Sequence, residues 1–377
     1  MDIHVSEKQI ANGLAIGMIV LDRPTALNAL SHEMMMALSA AFHRWAKDDH
    51  VVAIVLQGTG ERAFCAGGDI RAMHQLLQSH TEAEVFEIAS DYFSVEYQLE
   101  YLIHTYHKPI LVWGHGVVMG GGWGLFAGAS HRVITETTKM AMPEVHIGLY
   151  PDAGGSWFLS RLPARLGLFL ALTGTAIGPR DIMRLGIADY CMAGSQHEQI
   201  LQELHVMPWS RDTALNHDML SKMLAAKTQE CTLTLPDAEL FIFRDQISQA
   251  LHAGNVESAI SRLFSLRGKS PWLDKALDSM AAGCPLSQIL AYELQRYAKH
   301  RSLADVFRME WWVSIQCCLN PDFSEGVRAR LIHKGDTPKW QAASVAEVSD
   351  KLLNRFLTIP PETPNPLAKL GLASNGG

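Results

Sequence analysis

Val51-Val52-Ala53-Ile54-Val55-Leu56 is an unbroken apolar run, the pattern of a strand buried on both faces. Such a strand belongs to a parallel sheet covered by helices, and the flanking sequence supplies both. Upstream, Ala15-Ile16-Gly17-Met18-Ile19-Val20-Leu21 reads as another strand, closed by the turn-like Asp22-Arg23-Pro24. Between the two, Ser31 caps a helix with Glu33 in its first turn, where a carboxylate suits the dipole. Met34, Met35, Leu38, Phe42 and Trp45 recur at three- and four-residue steps and form one apolar face. Downstream, the pattern predicts a helix over 82–104, a buried strand over 109–113 and short strands at 132–134 and 140–142. A glycine run, Gly120-Gly121-Gly122, opens another helix. Strands alternating with helices predict an α/β core ending near residue 190.

Beyond that point the character changes. From 197 to 357 the periodicity is helical throughout, as at 259–266, 285–297 and 303–318. Residues 358–377 carry Pro360, Pro361, Pro364 and Pro366 and end in Gly-Gly, which predicts a loose tail. The expected organisation is therefore a catalytic core over 1–196, a helical region over 197–357 and the tail. There is no internal repeat.

The chain has 377 residues, long enough for a large core, and 48% hydrophobic with 19% charged residues is ordinary for a globular enzyme. A net charge of -7 and the lack of a basic run argue against a nucleic-acid partner. A polyanionic ligand needs only a local basic patch and is not excluded. The six cysteines show no CxxC pair and no zinc-like spacing, and Cys317 and Cys318 are neighbours that a disulfide would strain. Free thiols, no amphipathic leader in residues 1–11 and no window of ~20 apolar residues predict a cytoplasmic protein without a membrane partner.

Two glycine turns carry the first part of the chemistry. Phe64-Cys65-Ala66-Gly67-Gly68-Asp69-Ile70 runs from a strand into a helix, and in Met119-Gly120-Gly121-Gly122-Trp123-Gly124 Gly121 likewise precedes a helix, through Gly124 and Leu125. An N–H at a helix start has no internal partner and points at whatever sits there. Donors from Gly68 and Gly121 converging about 3 Å from one oxygen would form an oxyanion hole. Either turn alone is explained by tight packing; the pair, beside two carboxylates, favours the oxyanion hole. Gly122-Trp123-Gly124-Leu125-Phe126-Ala127 also fits a dinucleotide fingerprint, but His115 to Met119 separate it from its strand. Gly268-Lys269-Ser270 ends like a phosphate loop, yet Leu263 stands where its first glycine belongs. There is no HExxH and no GxSxG, and the seventeen histidines form no metal-ligand pattern.

The carboxylates are Glu144, after Pro143 at the end of an apolar strand, and Asp152, before Ala153-Gly154-Gly155-Ser156. Burial would raise the pKa of Glu144 and suit it to proton transfer or to attack on a thioester. Asp152 by itself reads as a helix N-cap.

These residues resemble the crotonase (enoyl-CoA hydratase/isomerase) superfamily. Leu21-Asp22-Arg23-Pro24 with Ala26-Leu27-Asn28-Ala29-Leu30, the Ala66 to Ile70 loop, the triple glycine and Asp322-Phe323-Ser324-Glu325-Gly326-Val327-Arg328-Ala329 each match one of its segments. The resemblance runs from about residue 15 to 345 and implies a spiral (ββα)n core. Gly124 stands where the hydratases carry the first of two catalytic glutamates, while Glu144 keeps the second. Met142-Pro143-Glu144 with Ile147-Gly148-Leu149-Tyr150-Pro151-Asp152 is similar to the branch that hydrolyses 3-hydroxyisobutyryl-CoA, with Tyr150 for its Phe. His333 and Gly335 are further departures from that branch.

The resemblance implies Gly68 and Gly121 as oxyanion donors, Glu144 and Asp152 as acting carboxylates, and Glu96 as a substrate-contacting acid. Glu96 without it reads as a solvated helix acid. Ala66, Gly68, Asp69 and Ile70 would line coenzyme A, with Arg23 or Lys334 at its phosphates. The implied reaction is hydrolysis of a short β-hydroxyacyl-CoA thioester in valine breakdown, with Glu144 as nucleophile or general base. No cofactor is expected beyond the coenzyme A of the substrate, and a homo-oligomer remains open. The rival readings are an enoyl-CoA isomerase or hydratase using Glu144 alone, and a non-catalytic acyl-CoA-binding protein.

Overall fold

The computed structural model describes residues 2–372. They group into two compact units that the chain visits alternately. The first holds the chain up to Gly68, then Leu102–Met140 and Ile177–Phe241; the second holds Asp69–Tyr101, Ala141–Ala176 and the chain from Ile242 onward. The 1–196 and 197–357 division is not how the chain packs.

The first unit is built on a six-stranded sheet. In chain order the strands are β1 (Ile3–Gln9), β2 (Ala15–Leu21), β3 (Val51–Gly58), β4 (Ala63–Cys65), β5 (Ile110–Gly114), β6 (Val117–Met119), β7 (His131–Thr135), β8 (Lys139–Ala141) and β9 (Tyr190–Met192). The large sheet runs β1-β2-β3-β5-β7-β9, with β1 antiparallel to β2 and every other neighbour parallel. The apolar 51–56 run is its third strand, buried from Val51 to Leu56. Ser31 caps helix α1 (His32–Ala46) by accepting the N–H of Met34 at 3.2 Å. The predicted face of α1 is buried, and a Cβ on Gly17 would stand 2.7 Å from the Trp45 ring, so α1 lies close against β2. On the sheet's other face Ala53, Val55, Leu111, Trp113 and Val133 pack with Ile200, Leu204, Trp209, Leu220 and Leu224. A parallel sheet needs both faces covered, and residues 197–241 supply the second cover. That is why the helical region divides near 241.

Cys65 of β4 pairs with Val118 of β6 in parallel, and β8 completes this smaller three-stranded sheet. Periodicity missed β1, β6 and β9 and set no bounds for β4, the strand ahead of the first glycine turn. Three of them have three residues each, too few to show an alternation.

The second unit is helical. Its parts near the candidate residues are α2 (Ile70–Leu77), most of α3 (Glu82–His104) and a long buried helix at Leu303–Cys318. With α4 (Gly121–Gly128) of the first unit preceding it, that helix is α5. The described part of the tail is not loose: Leu367 is buried, Asn365 Nδ2 donates to the Arg308 carbonyl at 3.1 Å, and Arg308 donates to the Leu370 carbonyl at 3.0 Å. A buried leucine and two bonds to α5 outweigh the prolines. Residues 373–377 of the expected tail lie outside the described residues. Among the described residues no helix is long and apolar enough to cross a membrane.

Candidate active site

The glycine turns belong to the first unit and are brought together by the small sheet. Cys65 and Val118 are register partners, and Gly68 and Gly121 each lie three residues further on. Gly67 has φ +94°, and a Cβ there would stand 3.2 Å from the Gly121 nitrogen and 3.0 Å from the Met119 oxygen. A Cβ on Gly122 would meet the Cys65 carbonyl oxygen at 2.4 Å. Glycine is required here by close approach of one turn to the other. Among the described residues, neither the Gly68 nor the Gly121 N–H donates to a backbone carbonyl. Gly121 is the first residue of α4, so its N–H is one of the helix's orphans. Gly68 precedes the cap of α2 rather than opening it: Asp69 is the N-cap and accepts the Ala72 N–H at 3.1 Å.

The neighbours of these turns hold them. Ala66 gives its N–H to Leu27, and Leu30 gives its N–H to Gly67. Asn28, fully buried with φ +56°, donates to the carbonyls of Thr59 and Ala63 at 3.0 and 2.8 Å. The Leu27-Asn28 stretch therefore anchors β4. Ile70 opens α2. Arg23 is bound to Asp2 at 2.9 Å and to the Ala29 carbonyl at 3.0 Å, whereas Lys334 is exposed.

The carboxylates belong to the second unit. Glu144 opens a short 3₁₀ turn after Pro143, is 6% exposed, and has its Oε2 buried without a hydrogen-bond partner among the described residues. Burial raises its pKa well above the ordinary value, and the nearby charge of Asp152 adds to this. Asp152 is not a helix cap. The helix that follows, Gly155–Leu159, has Gly154 at its N-cap and no side-chain cap bond. Instead, Asp152 Oδ2 accepts the hydroxyl of Tyr97 at 2.6 Å. Burial pushes Asp152 up to about 6, with the Tyr97 bond working against it. Glu96, next to Tyr97 on α3, is buried, not solvated; burial and the charges of Asp152 and Glu310 raise its pKa.

Periodicity missed the residues that support this group. Glu310 of α5 is fully buried, and burial followed by the charge of Asp152 lifts it to about 8. Glu100, one turn beyond Glu96, is also fully buried and raised by burial. Ser314, one turn after Glu310, touches the hydroxyls of Tyr97 and Tyr150 at 2.8 and 2.9 Å. A signal existed: Glu310 and Ser314, four residues apart, share one face of the helix and flank the apolar Trp311-Trp312-Val313. Five buried acids around one another cannot all be ionised, so protons are shared among them.

The profile of the enoyl-CoA hydratase/isomerase family matches residues 16–357. Among curated relatives, the mitochondrial 3-hydroxyisobutyryl-CoA hydrolase of Danio rerio is 37% identical over 346 residues, covering 90% of this chain and 86% of that protein. The Homo sapiens protein of the same name is 34% identical over 343 residues, covering 90% and 85%. Among solved structures, a carnitinyl-CoA dehydratase from Mycobacterium thermoresistibile superposes with a TM-score of 0.81 at 32% identity, over 96% of this chain and 97% of that one. An enoyl-CoA hydratase from Rhodobacter sphaeroides gives 0.78 at 31%, over 95% and 97%. The expected cytoplasmic location is overturned by these findings, since the relatives matched over most of the chain are mitochondrial proteins.

Proposed function

The chain belongs to the enoyl-CoA hydratase/isomerase family, and from that premise we propose that it hydrolyses a short β-hydroxyacyl-CoA thioester, 3-hydroxyisobutyryl-CoA, to the free acid and coenzyme A. The observation that carries this reading is Asp152: a buried carboxyl turned away from the helix behind it and bonded to Tyr97, in a chain with Gly124 in place of the hydratases' first glutamate. The names of the curated relatives support the substrate.

On this reading the N–H groups of Gly68 and Gly121 polarise the thioester carbonyl, each worth ~3 kcal/mol of barrier. Glu144 provides the electron pair, at the carbonyl carbon to give a mixed anhydride or through a water it deprotonates. The carbonyl carbon gains a C–O bond, the C–S bond breaks, and the departing thiolate takes a proton; where the anhydride forms, water then cleaves it, which releases the acid and restores the Glu144 carboxylate. Asp152 orients the substrate hydroxyl or the attacking water and helps protonate the thiolate. Glu96 contacts the acyl group, and Ala66, Asp69 and Ile70 line the coenzyme, which enters as part of the substrate with no further cofactor. The product acid fits a place in valine breakdown.

The test mixes the protein with 3-hydroxyisobutyryl-CoA and follows free thiol with a thiol-reactive dye. Rapid release, lost in Glu144→Gln, is expected. No release, together with loss of the conjugated absorbance of crotonyl-CoA, would replace the reading with hydration.

A further inference from the structure

A line of hydroxyl groups leads away from Asp152. Asp152 Oδ2 meets Tyr97 Oη at 2.6 Å, Tyr97 meets Ser314 Oγ at 2.8 Å, Ser314 meets Tyr150 Oη at 2.9 Å, and Tyr150 reaches the Glu310 carbonyl at 2.9 Å. Tyr97, Ser314 and Tyr150 are fully buried, and Asp152 is 5% exposed. Tyr97 is further held by stacking on Phe307 at 5.4 Å.

The line has four contacts, and its three hydroxyls carry three protons. With Asp152 ionised, Tyr97 must donate to it and Ser314 to Tyr97. The single proton of Tyr150 then serves either Ser314 or the Glu310 carbonyl, and one contact lacks a proton. With Asp152 protonated there are four protons for four contacts. All then point outward, from Asp152 through Tyr97, Ser314 and Tyr150 to the carbonyl.

We propose that Tyr97, Ser314 and Tyr150 are positioning residues for Asp152, forming a hydroxyl relay whose direction reverses as Asp152 gains or loses its proton. The relay keeps that carboxyl fit both to take a proton from water and to return one to a departing thiolate. Its catalytic meaning rests on the hydrolase reading; the proton count does not. Besides Tyr97 and Tyr150, the titratable groups that feel the charge of Asp152 are Tyr92, Glu96 and Glu100 of α3, Glu144 of the loop, and Glu310, Cys317 and Cys318 of α5. All are acids or neutral groups, and none supplies a cation to keep Asp152 ionised. The outer half of the relay rests on the Tyr150 hydroxyl, which a Phe at this position would lack.

The test is the titration of Asp152 itself, read by NMR in protein labelled at the aspartate carboxyl carbons, with Asp152→Asn locating its resonance. Tyr97→Phe removes the donor to the ionised form, and the midpoint rises. Tyr150→Phe removes the last acceptor used by the protonated form, and the midpoint falls. Each shift is expected to be about half to one pH unit. In a Ser314→Ala background the relay is cut, and Tyr150→Phe then moves nothing. Shifts of the same sign, no shift in Tyr150→Phe, or a shift that survives Ser314→Ala would overturn the relay. Thiol release measured in parallel separates the two proposals: opposed shifts in a protein that cleaves no thioester would keep the relay and remove the hydrolase.

Discussion

Oε2 of Glu310 accepts the N–H of Gly154 at 2.8 Å, and through this bond a helix near the end of the chain holds the turn that follows Asp152. Its other oxygen accepts the N–H of Ser156 at 3.1 Å. Between Asp152 and Ser156, Ala153 and Gly154 have φ of +57° and +76°. An alanine stays in the left-handed region only where its surroundings hold it there. Glu310 thus keeps Asp152 facing Tyr97 without touching it.

Glu310→Gln leaves one acceptor oxygen for two N–H groups and sets an amide against one of them. A loss of about 1–3 kcal/mol in denaturant unfolding is expected. The rate constant for thiol release should fall while KM changes little, because the loop is loosened rather than the substrate contacts. Unchanged unfolding would show that the loop holds itself.

Glu144→Gln should lower thiol release by about two to four orders of magnitude while acyl-CoA binding, followed by calorimetry, persists. Turnover near the original rate would remove Glu144 from the reaction.

Asp152→Asn can still accept the Tyr97 hydroxyl but loses the charge and the proton. Activity should drop sharply without a lower melting temperature, since no helix N–H depends on this side chain and the neutral amide avoids burying a charge. Were Asp152 a cap, asparagine would serve in its place, and both stability and activity would be retained.

The buried acids set a pH dependence opposite to the usual one. Glu310 moves from its ordinary 4.5 to about 8, and Asp152 from 3.8 to about 6. Between those values the folded chain binds more protons than the unfolded chain, so stability falls as pH rises. The contribution is complete below about pH 4 and lost above about pH 8. Melting curves should show a higher Tm at pH 5 than at pH 8, and the difference should shrink in Glu310→Gln.

Gly122→Ala places a Cβ 2.4 Å from a backbone oxygen, which cannot move aside as a side chain can. Expression of folded protein should collapse. Gly254→Ala meets nothing within 4 Å, and its effect should stay within about 0.5 kcal/mol in thermal unfolding.

Much of the first unit was legible because its signals are local. The apolar 51–56 run is a strand and Ser31 is the cap of α1; the helix over 82–104, most of it in the second unit, likewise has its expected bounds. Burial of Glu144 also follows from its place after an apolar strand. Glu96 was legible only through the family resemblance, since an acid within a helix looks solvated until its partners are known. The described part of the tail was misread for the converse reason: prolines describe the backbone, while Leu367 is buried and Asn365 finds a partner on α5.

The sequence by itself determined the strand and glycine-turn units and the two candidate carboxylates, because an apolar run, a backbone N–H without a partner and an ionisable group are properties of residue type and near neighbours. Only the tertiary structure decided that Asp152 is no cap, that Glu310 holds its loop and that residues 197–241 cover the sheet. Each of these depends on which side chains, far apart along the chain, are packed together. A hydrogen bond of 2.6 Å between Tyr97 and Asp152 leaves no trace in the spacing of residues 97 and 152.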